Sequence, residues 1–297
     1  IPFFLAVGFF RPHTPFVAPK KYFNLYDREK IEIPESSSQY LATLPEPAAK
    51  SIRAKKNQLN LEKERAQEIK EAYYATISFV DAQLGRLLDH LEASGLDKNT
   101  IIVFTSDHGY HMGEHGHWQK QTLFENATRI PLIISTPNSE KKGAKSISPV
   151  ELIDLYPTLM DLTNLNIPEH VVGKSLEPLI KNANASVRGS ALTRWRNGYS
   201  IKTKRYRLTK WGSNGELGYE LYDHKNDKNE LINLARNQDY NQVKDSLKLV
   251  IEKRITEASI KPEGLGRQFK NAKPMYKAKN ITFGDIHDIN GEILNFK

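Results

Sequence analysis

The chain has 297 residues, 39% of them hydrophobic, which is enough apolar material for a globular core arranged as one large or two modest domains. It carries a net charge of +8 and no cysteine, so anionic partners are favoured while disulfides, thiolate ligands and a cysteine nucleophile are excluded. No apolar run approaches the roughly eighteen residues that a membrane-spanning helix needs.

The opening run IPFFLAVGFF ends at Arg11 and Pro12. No basic residues precede it and no small-residue cleavage site follows, so Ile1 to Val7 reads as a buried strand rather than as a signal peptide. With no initiator Met, the chain reads as a fragment or a processed product. Gly8 to Phe16 is expected to be an irregular loop stiffened by Pro12 and Pro15, and His13 between them either faces a ligand or is structural.

Polar sequence from Lys20 to Lys56, with Pro34, Pro45 and Pro47, predicts a long surface excursion with little regular structure. Between Leu61 and Leu91, apolar residues at Ile69, Tyr73, Ile77, Val80, Leu84, Leu87, Leu88 and Leu91 keep helical spacing, and Gly95 is placed to stop the helix. Its apolar stripe is expected to cover a sheet face, and its charged first half (LEKERAQEIKE) to be solvated.

Ile101 to Thr105 is a short, β-rich apolar run that reads as a fully buried strand of a parallel sheet. Asp107 and His108 stand at its carboxyl end, where open α/β sheets place their ligands, and Gly109, Gly113 and Gly116 let the following loop turn sharply. Four of the nine histidines, His108, His111, His115 and His117, lie in this loop. A carboxylate beside an imidazole suits a divalent cation, the carboxylate favouring a hard ion such as calcium. A solvated polar loop is the alternative. Zinc is not specified: His111 and His115 have the interval of a metalloprotease pair, but the Gly-rich loop is a poor helix and lacks Glu beside the first histidine.

Thr122 to Thr128 predicts a helical turn, Pro131 to Ser135 a second strand, Val150 to Leu165 a helix around Pro157, and Gly173 to Ile180 a further short helix. This order suggests a doubly wound α/β arrangement. Asn182 to Gly189 is the best candidate linker. Beyond it, Ala191 to Trp195, Tyr199 to Lys202, Tyr206 to Trp211 and Tyr219 to Tyr222 read as strands of a small antiparallel sheet, with Val243 to Ile255 as a helix packed on it. The domain expectation is an α/β part over 1–186 and a small α+β subdomain over 187–297. The last forty residues are weakly patterned and are expected to wrap the surface. No helix-turn-helix, zinc-finger or RNA-binding signature is present and the lysines are dispersed, so nucleic acid is not expected as a partner.

The segments FFLAVGFFRPHTPF (Phe3 to Phe16), FTSDHGYHMGEHGHWQK (Phe104 to Lys120), NGYSIKTKRYRLTKW (Asn197 to Trp211) and ELYDHKND (Glu220 to Asp227) resemble the formylglycine-dependent sulfatases, in particular their iduronate-2-sulfatase-like branch. The resemblance implies the C-terminal part of an alkaline-phosphatase-like α/β core followed by a small subdomain. It implies Asp107 and His108 as calcium ligands, His13 as a residue touching the sulfate and leaving-group oxygen, where it could serve as general acid, and Lys120 as a sulfate-binding lysine. The family's formylglycine arises from a Cys/Ser-x-Pro/Ala-x-Arg motif that these residues lack, as they lack the paired acidic residues of the family's first strand. By the resemblance both belong to a missing N-terminal segment, so the chain alone is expected to be inactive.

The implied substrate is a sulfated sugar such as a 2-O-sulfated uronate, and the implied location is secreted, periplasmic or lysosomal. A phosphodiesterase or phosphonate hydrolase of the same superfamily and a non-catalytic fragment that binds sulfated glycans are the alternatives. Arg194, Trp195 and Arg196 either line the substrate pocket or are an ordinary strand edge. His115 and Trp118 are expected to shape the loop. Asn126, Asn184 and Asn280 each begin an N-x-Ser/Thr triplet.

Overall fold

Helical spacing dominates the first half of the molecule. The computed structural model describes residues 2–34, 38–137, 139 and 142–260. Short helices α1 (Lys20–Phe23), α2 (Ser38–Thr43) and α3 (Glu46–Ile52) precede the long helix α4 (Lys63–Ala93), which ends where Gly95 takes a left-handed conformation at φ 70°. The long helix and its stop agree with the sequence reading.

The segment from Lys20 to Lys56 is more ordered than expected. Tyr40, Leu44, Ala48 and Ile52 recur every four residues across α2 and α3 and form a buried cluster with Leu123, Phe124, Trp211 and Tyr222. Pro45 interrupts the helix between Leu44 and Ala48 without disturbing that stripe, because proline is tolerated at a helix start. The charged half of α4 is solvated at Lys63 to Arg65, as expected, but Gln67, Lys70 and Glu71 are buried. Gln67 donates to the carbonyls of Glu29 (3.1 Å) and Ile31 (3.0 Å), Lys70 to that of Glu32 (2.8 Å), and Glu71 pairs with Arg28 at 2.6 Å. These polar side chains satisfy the backbone of an irregular segment that has few partners of its own.

Strand β1 (Ile102–Thr105) pairs antiparallel with β2 (Leu132–Ser135), from Ile102 opposite Ser135 to Thr105 opposite Leu132. Between them lies helix α5 (Glu125–Thr128). The expectation of a fully buried strand in a parallel sheet is therefore corrected: β1 is half-buried, with one edge paired among the described residues. Pro2 to Val7 likewise form no strand and stand exposed, Phe4 at 85%, because no strand among the described residues meets them. Both segments are apolar and β-rich; among the described residues Pro2 to Val7 meet no strand and β1 meets β2 alone.

Helices α6 (Leu155–Leu162) and α7 (Glu177–Lys181) follow. The stretch read as a linker is tethered at its end: buried Arg188 bonds Glu151 at 2.5 Å and also pairs with buried Asp154. Strands β3 (Ala191–Trp195), β4 (Gly198–Lys202), β5 (Tyr206–Trp211) and β6 (Tyr219–Asp223) then form an antiparallel sheet in sequence order, as expected.

Period-two alternation sorts the two faces of this sheet. Ile201, Leu208 and Leu221 pack with Leu247 and Ile251 of helix α8 (Asn241–Ser259), whereas Trp211 and Tyr222 join the cluster built on α2 and α3. The described residues up to Glu257 form one compact unit. The last forty residues, expected to wrap the surface, lie almost entirely outside the described residues.

Candidate functional site

β1 delivers Ser106, Asp107 and His108 into a loop that folds back on itself. Gly109 donates to the Ala127 carbonyl at 2.8 Å, and a Cβ there would lie 2.1 Å from the Asn126 carbonyl oxygen and 2.8 Å from that of Arg129. Only glycine permits so close an approach of the loop to α5. Gly113 (φ 107°), His115 (φ 58°) and Gly116 (φ 69°) then turn the chain so that Gly113 N–H reaches the His117 carbonyl at 2.9 Å.

The loop's interior is three packed histidines. The His111 ring lies 5.5 Å from that of His115 and 5.0 Å from that of His117, while His115 stacks on Phe124 at 4.2 Å and meets Tyr40 at 5.3 Å. His117 Nδ1 donates to the Ile52 carbonyl at 2.9 Å. His111 donates from Nδ1 to the Glu114 carbonyl at 3.3 Å, leaving Nε2 to accept from the Thr122 hydroxyl at 2.8 Å. Burial lowers all three pKa values, His111 well below the ordinary imidazole range and His115 and His117 to about 4. They are a neutral packing unit, and buried His115 and Trp118 shape the loop as expected.

Asp107 and His108 differ from that interior. Asp107 is exposed, and its Oδ2 lies 3.4 Å from His108 Nε2. His108 Nδ1 faces the Gly109 carbonyl at 2.7 Å; a carbonyl only accepts, so Nδ1 carries the hydrogen and Nε2 keeps its lone pair in the neutral ring. Asp107 Oδ1 accepts from the His108 amide at 3.1 Å, which leaves Oδ2 beside that lone pair. Two donors at this separation, held by second contacts to the backbone, fit part of the coordination shell of a divalent cation. Calcium takes six to eight ligands, so these two would supply a minority of them.

A cleft of about 2090 Å³ opens beside them, and its lining includes His13, Asp107, His108 and Lys120. Four sequence-predicted residues, drawn from two distant segments, thus line one cleft, together with Phe3 to Val7, β1 and the apolar stripe of α4. His13 Nδ1 donates to the Thr14 carbonyl at 2.7 Å, which leaves Nε2 as the free ring nitrogen, and Arg11 braces the loop through the carbonyls of His13 and Val17. Lys120 has no side-chain hydrogen bond or ion pair among the described residues.

Tyr73 and Tyr110 add an aromatic wall, stacked at 5.7 Å, that the sequence reading passed over; burial, then the neighbouring Tyr73, pushes the Tyr110 hydroxyl up to about 12. Tyr110 directly follows the Asp-His-Gly run, and its spacing to that run was the available signal. Arg194 lies in the β3–β4 hairpin and is not part of the cleft lining.

A second cluster of candidate ligands, Glu125, His224 and Glu230, lies apart from these residues. Arg207 already occupies it, with Nε 2.5 Å from Glu230, an ion pair to Glu125 and a hydrogen bond to Ser200 at 3.1 Å. Burial raises the Glu230 pKa, but Arg207 and His224 outweigh it and hold the carboxyl at about 2. The cluster is a buried ion-pair network.

Comparison with known proteins agrees with the motifs. The sulfatase family profile matches residues 1–165, and that of the N-sulphoglucosamine sulphohydrolase C-terminal region matches residues 113–257. A sulfatase of Formosa agariphila is 38% identical over 257 residues, 85% of this chain and 50% of that protein; human iduronate 2-sulfatase is 34% identical over 204 residues, 56% of this chain and 37% of that protein. The fold matches a solved complex with D-glucosamine-2-N,6-O-disulfate (TM-score 0.70, 23% identity, 83% of this chain and 64% of that one). It also matches a phosphonate monoester hydrolase from Silicibacter pomeroyi (TM-score 0.73, 24% identity, 92% of this chain and 57% of that one). The architecture is accordingly part of an alkaline-phosphatase-like sulfatase core with a C-terminal subdomain. The chain spans about half the length of the curated relatives it matches. With the profile covering more than half of its residues and the Asp-His-Gly loop inside the match, the chain belongs to the sulfatase family.

Proposed function

We propose that this chain is the C-terminal portion of a sulfuric ester hydrolase acting on a sulfated sugar such as a 2-O-sulfated uronate. The observation that carries this reading is the meeting of His13, Asp107, His108 and Lys120 on one cleft. Cleaving a sulfate ester requires positive charge against the sulfuryl oxygens and a proton for the departing alkoxide. Lys120, unpaired among the described residues, supplies the first, and His13, protonated at Nε2, supplies the second. Asp107 and His108 would help hold a calcium ion, whose charge offsets that of the sulfuryl group when it is bound.

The nucleophile, a formylglycine in this reading, and the remaining acidic ligands would reside in an N-terminal segment that the present residues do not include. The exposed apolar run from Phe3 to Val7 and the half-paired β1 support that assignment, as surfaces suited to further strands. The proposed boundary between catalytic core and subdomain remains at 186/187, and export to a periplasmic, extracellular or lysosomal space is the proposed location. Among the described residues no helix is long and apolar enough to cross a membrane.

The test compares this chain with the longer protein on one sulfated uronate disaccharide. Turnover by the longer protein, removed by a calcium chelator and absent for the isolated chain, is expected; turnover by the isolated chain would overturn the assignment of the nucleophile. The fold shared with the phosphonate monoester hydrolase favours a second reading, phosphonate or phosphodiester hydrolysis. Paired sulfate and phosphonate esters of one alcohol separate the two.

A further inference from the structure

From the β3–β4 hairpin we infer a second anion-binding subsite, formed by Arg194 and Arg196, that takes a carboxylate or further sulfate on the sugar whose ester is cleaved. The inference rests on the reading of the cleft as a sulfatase site.

Trp195 pairs with Gly198, so Arg196 and Asn197 form a two-residue turn. Both central residues of such turns commonly take left-handed conformations, and Asn or Gly is the usual first choice. Here an arginine occupies the first position at φ 51°. That conformation is costly for a long side chain and is retained where the surroundings hold it. What it achieves is visible: the Arg196 guanidinium lies over the Trp195 ring at 4.7 Å, and Trp195 in turn meets buried Trp211 edge-on at 6.3 Å. Arg194 is placed beside it, donating from Nε to the Arg196 carbonyl at 3.3 Å with its guanidinium 5.2 Å from the Tyr199 ring.

Arg28, Arg188, Arg205, Arg207 and Arg254 each pair with a carboxylate; among the described residues the two hairpin arginines, like Arg11, Arg53, Arg86 and Arg236, do not. Two guanidiniums oriented by aromatic rings, with their outer N–H groups unspent, suit bidentate recognition of a carboxylate or sulfate. The hairpin is also joined to the cleft's own loop. A Cβ on Gly198 would lie 2.8 Å from Leu123 Cδ1, and Leu123 follows Lys120 by three residues. The subsite therefore adjoins the segment that carries Lys120 while standing outside the cleft wall.

The experiment uses the longer protein and two substrates, a sulfated uronate disaccharide and an uncharged aryl alcohol's sulfate ester. Arg194→Ala and Arg196→Asn are each expected to raise KM for the disaccharide about tenfold or more, as loss of a charge-assisted contact implies, with kcat and aryl sulfate turnover unchanged. Asn suits the turn's left-handed position, so Arg196→Asn preserves the hairpin. Arg194→Lys should recover only part of the loss, because a lysine cannot bind bidentately. An unchanged KM for the disaccharide, or an equal rise for both substrates, would overturn the subsite. If the longer protein hydrolyses neither ester, the functional reading itself fails. The subsite is then judged by calorimetric binding of the disaccharide to this chain, where the two variants must weaken affinity for it to stand.

Discussion

Replacing His115 by Phe should relieve part of this protein's sensitivity to acid. His115 is 3% exposed, stacks on Phe124, and has no hydrogen bond to either ring nitrogen. Burial holds its pKa at about 4, against 6.5 for a free imidazole, and His117 behaves alike. The unfolded chain therefore takes up these protons as pH falls through 6.5, whereas the folded chain refuses them until about 4. Stability is fully present above 6.5, is lost through that window, and levels off below it. Each ring accounts for ~2 kcal/mol of that loss at pH 5 and ~3.4 kcal/mol once the pH is below both values. Two such rings can remove much of the 5–15 kcal/mol by which a domain is usually stable.

The assay is urea unfolding of this chain and of His115→Phe at pH 7.5, 6 and 5. Phe keeps the stacking area and removes two unpaired buried nitrogens, so the variant should be at least as stable at pH 7.5. Its loss between pH 7.5 and 5 should be smaller than that of the unmodified chain by ~2 kcal/mol. Parallel pH dependences would refute the reasoning, because the carboxylates elsewhere are common to both proteins.

Three further outcomes follow from the same contacts. Arg207→Met leaves Glu230 buried without its cation and should cost about 3–5 kcal/mol in denaturant unfolding, with partial recovery when Glu230→Gln is added. Gly109→Ala drives a Cβ toward two backbone carbonyls and should cost roughly 1–3 kcal/mol, read as a lower unfolding midpoint together with weaker calcium binding through the displaced Asp107 and His108. In the longer protein, Lys120→Ala should lower kcat/KM for sulfate esters by about a hundredfold while leaving the chain's melting temperature unchanged, since the side chain has no hydrogen-bond or ion-pair partner among the described residues; a fall in Tm without a kinetic effect would contradict its role.

Local patterns were legible where neighbours in sequence are also neighbours in space. The α4 periodicity, its Gly95 stop and the four hairpin strands depend on spacings of two to four residues, and all four strands appear in the expected order. The stripe Tyr40, Leu44, Ala48 and Ile52 was legible too, but the prolines around it suggested a loop, although Pro45 and Pro47 sit at a helix start. Charge misled in the first half of α4, where Gln67, Lys70 and Glu71 face the segment 28–32 rather than water. Nothing in the local pattern signals which distant polar partner a charged side chain will find.

The order of chemistry along the chain was set by sequence: a carboxylate and an imidazole at a strand end, glycines where the loop must turn, and a lysine at the loop's end. Whether those groups meet is a matter of tertiary structure. His13 lies more than ninety residues before Asp107, and only the folding of its loop beside the end of β1 lines one cleft with both. The same distinction governs the histidines. His108 and His111 are three residues apart, yet one presents Nε2 to a neighbouring carboxylate while the other is sealed among aromatic rings, because burial and not residue type decides which imidazole remains free to act.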